Sequence, residues 1–268
     1  MKVLHGSELA GFIKERQAKQ VRMLRQAHRI QPRLAIVTDA DNPVIETYMR
    51  LKQRYGADIL IEVDIVRVAS GELLQAVQRL NERDEVQGII VQLPLAHPQM
   101  TDEILSSVAP DKDVDGLNPT GTRFDAATPI AINWLLAGHG IELHGKRIAL
   151  VGRGRLVGAP LEKLWRASGL DVTVFEVGDD LALLREYDVV VSATGCPGLI
   201  TTSMLRPGAV VVDAGTASEN GKIVGDVAEA NRQRNDIHLT PEKGGVGPLT
   251  VAALFDNLIT ACLRQIRR

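Results

Sequence analysis

Tyr48 and Lys52 stand four residues apart in YMRLK (48–52). On a helix that spacing puts both side chains on one face. Gln92 closes the apolar run GIIVQ, just before Leu93-Pro94, and PDKDVDG (110–116) is dense in carboxylates and ends in glycine. A lysine, an amide and a carboxylate at successive element ends can build a polarised pocket. Each piece also has a plainer reading. A Tyr/Lys pair on a helix is often solvated surface. The DxDxDG-like string suggests calcium, but the glutamate expected six residues after its glycine is replaced by Thr122, so no metal is expected.

A second constellation is VGRGRLVGAP (151–160). Gly152, Gly154 and Gly158 are spaced G-x-G-x-x-x-G, one residue longer than the usual dinucleotide fingerprint. An apolar strand, a glycine turn and a helix make an anion site, because the helix start offers free N–H groups and a partial positive charge. The alternative is a tight turn with no ligand. Three later stretches favour the nucleotide: DVTVF at βαβ distance, the small-residue loop SATGCPG (192–198) and VVDAGT (211–216). Small residues at several strand ends suit a crevice outside a parallel sheet. Arg153 and Arg155 can meet a ribose phosphate, whereas Glu176 sits where an acidic residue accepts from a free ribose hydroxyl. These cues disagree on NADP versus NAD. Near the end, LTPEKGGVGPLTVAAL (239–254) reads either as a rigid connector or as a loop closing over a flat substrate.

The elements that must position these residues alternate along the chain. Strands are expected at 33–37, 59–66, 86–92, 147–151, 171–175, 188–192 and 209–213. Helices are expected near 7–28, 43–55, 71–83, 129–138, 156–168 and 249–266. The alternation predicts an α/β fold with parallel sheets. Asn42-Pro43 and Thr128-Pro129 each place a capping side chain before a first-turn proline, and Thr250 or a neighbour caps the last helix. The domain junction is placed in or just after the helix begun by Thr128-Pro129.

With 268 residues there is room for one large domain or two modest ones. A net charge of -2 gives no reason to expect nucleic acid or an anionic membrane. Cys196 and Cys262 form no C-x-x-C pair and point to a reducing compartment. The N-terminus lacks a signal-peptide core and no apolar stretch is long enough to span a bilayer. A cytosolic protein is expected.

Taken in order, the motifs resemble the bifunctional methylenetetrahydrofolate dehydrogenase/cyclohydrolase family. They are YMRLK, GIIVQLPL (88–95), PDKDVDG, the Thr128-Pro129 helix start, GRGRLVGAP (152–160), GKIVGDV (221–227) and KGGVGPLT (243–250). The long glycine turn is that family's own spacing. The resemblance implies a homodimer whose first lobe, 1–132 with a returning helix at 250–268, binds folate. A Rossmann domain, 133–249, binds the nucleotide, and folate lies in the cleft between the lobes. It implies hydride transfer from methylenetetrahydrofolate to NADP, with NAD as the other possibility, then hydrolysis of the methenyl cation to formyltetrahydrofolate. By position, Lys52 cycles protons, Gln92 bonds Lys52 and helps hold it neutral, and Asp115 accepts from the pterin. Tyr48 packs on the folate rings, and Gly244, Gly245, Val246, Gly247 and Pro248 line the folate site. Gly152, Arg153, Gly154, Val157, Gly158, Glu176, Thr194, Gly195 and Thr216 bind the nucleotide.

The chain departs from that pattern at several places. Gly154 replaces a serine, EVG (176–178) replaces an H-S-x segment, AATP (126–129) replaces P-C-T-P, and Glu242-Lys243 replaces Val-Pro. Because most departures lie on the nucleotide side, intact cyclohydrolase chemistry with altered cofactor affinity or preference is expected. The competing readings are a cyclohydrolase without useful dehydrogenase activity and a Rossmann-type binding protein without turnover.

Overall fold

The computed structural model describes residues 2–215, 217–219 and 222–266. In chain order its elements are β1 (Lys2–Val3), α1 (Ser7–Ala27), β2 (Arg33–Thr38), α2 (Pro43–Asp58), β3 (Glu62–Arg67), α3 (Leu73–Glu82), β4 (Gly88–Val91), α4 (Thr101–Ser106), α5 (Ala127–Gly138), β5 (Ile148–Val151), α6 (Gly158–Ala167), β6 (Val172–Phe175), β7 (Val189–Ser192), β8 (Val210–Asp213), β9 (Ala217–Glu219), β10 (Lys222–Val224), β11 (His238–Leu239) and α7 (Val246–Ile266). The chain forms two compact units. One is Gly11–Ala127 with the chain's end from Val251; the other is Thr128–Thr250 with the chain's start up to Ala10.

The first unit holds a parallel sheet in the order β3-β2-β4. β2 and β4 are buried along almost their whole length, so their apolar runs are continuous rather than alternating. Val77, Leu80, Ile89, Ile104 and Leu105 belong to one core cluster there. The segment after α4 runs beside β4, with Ile89 donating to the Lys112 carbonyl at 2.7 Å and bridging in parallel to Asp113. The last helix completes this unit. Asn257 donates to the carbonyls of Val114 and Asp125, both at 2.9 Å, and Leu258 fills the space over Gly88 that a β-carbon would enter.

The second unit holds a six-stranded, wholly parallel sheet, β1-β11-β8-β7-β5-β6. Strand β5 has β6 on one side and β7 on the other, so the chain reverses direction across the sheet between β5 and β7. That reversal opens a crevice at the carboxyl ends of the strands. Val151, Val190, Ile200, Val211 and Leu239 lie in its core cluster.

Several boundaries differ from those expected. Ile59 and Ile61 are buried, but they pack in the turn after α2, where Leu60 has φ 64°; β3 begins at Glu62. Thr128 lies inside α5, which begins at Ala127. Helix α7 begins at Val246, so Gly247 and Pro248 lie in its first turn. Thr250 bonds back to the Val246 carbonyl at 3.3 Å instead of capping. Over its 21 residues α7 is also long and apolar enough to cross a bilayer, contrary to the expectation, but 61% of its most apolar window is buried inside the protein. That is the pattern of a core helix.

Candidate active site

In the unit of β2–β4, the sheet reverses direction at β2, and both strands that flank the resulting crevice contribute. Helix α2 follows β2. Asn42 caps it by accepting from the Val44 N–H at 2.8 Å, and Pro43 takes the first position. Ile45, Met49 and Gly56 bury one face. Tyr48 and Lys52 are partly buried. Lys52 Nζ donates to Gln92 Oε1 at 2.8 Å. Gln92 sits one residue past β4, where its N–H donates to the Val37 carbonyl at 2.8 Å. Its Nε2 donates to the Leu93 carbonyl at 2.9 Å, which obliges Oε1 to face the lysine.

The run 110–116 brings the carboxylate to this pair, and residues around Asp115 hold it there. Lys112 Nζ donates to the Leu80, Asn81 and Arg83 carbonyls at 3.1, 2.8 and 2.7 Å, closing the C-terminal end of α3. Buried Asp113 accepts from the Asn118 and Leu117 N–H groups at 2.9 and 3.4 Å, and Val114 is core. Gly116, with φ 70°, has no room for a side chain beside the Asp125 and Ala126 backbone. Lys112 and Asp113 therefore build the loop, a role the sequence reading missed. Asp115 alone of the string's carboxylates faces Lys52 closely enough to exert a coulombic effect on it.

The electrostatics are coupled. Burial pushes the Lys52 amine below its ordinary range, and the Asp115 charge opposes this. Burial lifts Asp115 from 3.8 to about 6, with Lys52 pulling it down and Asp113 pushing it up. Burial, not Gln92, lowers the amine. A carbonyl that accepts from Nζ fixes where the amine points and does nothing to favour its neutral form, which corrects the expected role of Gln92. Enclosed, positioned and unusually easy to deprotonate, Lys52 is suited to moving protons.

In the six-stranded unit, Gly152 follows β5 with φ 90°. A β-carbon there would lie 2.9 Å from the Ala193 carbonyl. A β-carbon on Gly158 would collide with the Gly152 carbonyl, so these two glycines let turn and strand end close on each other. Gly154 differs: a β-carbon there would meet only the Ala193 oxygen, at 3.8 Å, and nothing there requires glycine. Helix α6 starts after Val157 with no side-chain cap; the Ala159 N–H donates to the Gly154 carbonyl at 3.1 Å and Pro160 has none, so the Gly158 N–H is the one left for an anion among the described residues of its first turn. An open turn ahead of an uncapped helix start fits a dinucleotide phosphate.

Beside this turn, wholly buried Asp226 accepts through Oδ2 from Ser192 Oγ and from the Thr194 N–H, both at 2.7 Å. Thr194 Oγ1 in turn accepts from the Cys196 N–H at 3.1 Å, and Gly195 has φ 69°. The loop holding Thr194 and Gly195 is thus pinned from below by a residue of the GKIVGDV motif. Glu176 is exposed just beyond β6, with its N–H bonded to Asp179 Oδ2 at 2.7 Å. Arg153 Nε donates to Glu162 Oε2 at 2.7 Å. Thr216 lies outside the described residues. Gly244 has φ 83° and its carbonyl accepts from the Gly6 N–H at 2.7 Å; Gly245 follows it, and Val246, Gly247 and Pro248 open α7.

These features define a nucleotide-dependent α/β enzyme with a Rossmann-type unit. Comparison with known proteins narrows the class. A family model for the tetrahydrofolate dehydrogenase/cyclohydrolase catalytic domain matches residues 4–115, and one for the NAD(P)-binding domain of the same proteins matches 126–266. The bifunctional protein FolD of Halothermothrix orenii is 38% identical, with 97% of each chain covered. The FolD methylenetetrahydrofolate dehydrogenase/cyclohydrolase structure from Campylobacter jejuni superposes with a TM-score of 0.92 at 33% identity, covering 99% of each chain. The Trypanosoma brucei enzyme, solved with NADP and an inhibitor, gives 0.91 at 32% identity, covering 99% and 98%. The chain belongs to the tetrahydrofolate dehydrogenase/cyclohydrolase family.

Proposed function

We propose that this chain oxidises methylenetetrahydrofolate with NADP and hydrolyses the methenyl product to formyltetrahydrofolate, with Lys52 moving the protons of the second step. The observation that carries this reading is the partly buried Lys52–Gln92 hydrogen bond beside Asp115. In hydrolysis, neutral Lys52 Nζ accepts a proton as water adds to the amidinium carbon. It returns that proton to the ring nitrogen as the C–N bond breaks, so one amine serves as base and then acid. Gln92 keeps Nζ aimed through this cycle. Asp115 accepts from the pterin amino group and ring N–H, a charge-assisted pairing. Tyr48, one turn before Lys52, packs on the folate rings, and the Gly244–Pro248 segment supplies further folate contacts.

Bound NADP supplies the hydride acceptor for the oxidative step. For that step the protein needs only to align its ligands. The turn Gly152–Gly158 and the start of α6 would hold the pyrophosphate, and Thr194 and Gly195 would flank the nicotinamide half. Arg153 would meet the ribose 2′-phosphate. We further propose a cytosolic homodimer: β3 is an edge strand whose only sheet partner is β2 among the described residues, so it offers a second copy a strand-pairing edge.

The test is spectrophotometric. Methylenetetrahydrofolate oxidation is followed with NADP and with NAD, and methenyltetrahydrofolate decay is followed separately. Oxidation with NADP together with hydrolysis above background is expected. Absence of hydrolysis would leave only the oxidative half, and absence of both would reduce the chain to a binding protein.

A further inference from the structure

We propose that Glu162 is a positioning residue that favours the 2′-phosphorylated nucleotide by holding Arg153 in its binding orientation. The proposal rests on Arg153 being the group that meets the 2′-phosphate.

Glu162 lies in the second turn of α6, below the glycine turn. Each of its oxygens takes one arginine: Oε2 accepts from Arg153 Nε at 2.7 Å, and Oε1 from Arg166 Nε at 3.0 Å. Arg166 Nη2 donates in turn to the Val172 carbonyl at 2.8 Å, at the start of β6. The result is a brace running from β6, through Arg166 and Glu162, to the turn between β5 and α6.

Exposure separates the roles. Only 12% of the Glu162 side chain is exposed, against 54% for Arg153. The carboxylate is therefore covered by its two partners, and the guanidinium is what a ligand meets. Arg153 is gripped at Nε alone. Its terminal nitrogens, Nη1 and Nη2, have no hydrogen-bond partner among the described residues and form the paired edge that grips phosphate oxygens. The charge count agrees: two guanidiniums share one carboxylate, leaving a net positive cluster for a dianionic monoester. NAD has no group for that edge, so the brace acts on one nucleotide only. The sequence reading weighed Arg153 but not Glu162, because nothing in the spacing 153–162 marks a pair across a turn and a helix.

Fixing a long side chain in advance removes an ordering cost on binding, a gain of about three- to tenfold in affinity. The experiment measures dissociation constants of NADP and NAD by isothermal titration for the whole chain in five forms: wild type, Glu162→Gln, Glu162→Ala, Arg153→Met and Arg153→Met with Glu162→Ala. Thermal melting of each checks folding. Glu162→Ala should weaken NADP about three- to tenfold and leave NAD within about twofold, with Glu162→Gln between it and wild type. In the Arg153→Met background, Glu162→Ala should add nothing. Equal weakening of both nucleotides, or tighter NADP binding, overturns the role of Glu162. If Arg153→Met leaves the NADP to NAD ratio unchanged, the assignment of Arg153 itself fails, and the proposal with it.

Discussion

Replacing Asp115 with asparagine should stabilise its unit at pH 8 and hardly at pH 4. Its carboxyl is raised from 3.8 to about 6, first by burial. Such a rise corresponds to about 3 kcal/mol between protonated and ionised forms. Below pH 3.8 the acid is protonated in folded and unfolded chains alike, and its contribution is fully present. As pH climbs toward 6 the unfolded chain releases its proton first, so stability falls, and the loss is complete above about pH 7. Asparagine copies the protonated acid and stays neutral throughout. The gap between variant and wild type should therefore open between pH 4 and 7, up to about 3 kcal/mol. Trp134 and Trp165 belong to the other unit, so their fluorescence is a poor reporter. Hydrogen exchange at the β2 and β4 amides, variant against wild type at each pH, is the better assay, because it reads opening of the strands beside the site. A gap of the same size at pH 5 and pH 8, or a wild type more stable at pH 8, refutes the argument. Folate binding should weaken in the same variant. An ionised carboxylate kept at a cost in the empty site is an acceptor whose cost substrate donors recover.

Four other outcomes are expected. Lys52→Met should lower methenyltetrahydrofolate hydrolysis by about 10² to 10⁴, with circular dichroism unchanged; near-normal hydrolysis would remove Lys52 from the mechanism. Gly154→Ser should be tolerated in thermal melting, since its β-carbon would meet nothing closer than the Ala193 oxygen at 3.8 Å, and should tighten NADP by adding a hydroxyl to the turn. Gly158→Ala should cost about 1–3 kcal/mol or more, because its β-carbon meets the Gly152 carbonyl; equal melting of the two variants would contradict this geometry. Glu176→Ser should raise the ratio of NADP to NAD affinity by removing a negative charge from the end of β6, and an unchanged ratio in titration would place the 2′-phosphate elsewhere.

Much of the fold was legible because its signals are local. Asn42-Pro43 marks the start of α2 by capping chemistry, and IALV and VVVS read as strands because burial on both faces removes alternation. The short partners were not legible. β1 and β11 are two residues each, and β1 joins the sheet only through a partner more than 230 residues away. Apolar Ile59 and Ile61 mimic a strand because a buried turn needs the same residues. In the site, Lys52, Gln92 and the carboxylate string 110–116 could be named from residue type and position, and Asp115 within that string from the family resemblance. Lys112, Asp113, Glu162 and Asp226 could not, because each works by a bond to backbone or side chain that only the folded path brings near. GDV gives no hint that its aspartate holds the Thr194 N–H from 32 residues away.

The last helix reaches back to the carbonyl of Val114, the residue just before Asp115. On the ribosome, this contact waits until Asn257 has been made. The six-stranded unit draws on the chain up to Thr250, whereas the loop that aims Asp115 must wait for Asn257 and Leu258. A chain clipped after Thr250 would keep the residues of its nucleotide unit and lose those that seat its proton chemistry. Synthesis order thus puts the residues of the nucleotide unit ahead of those that seat the proton chemistry.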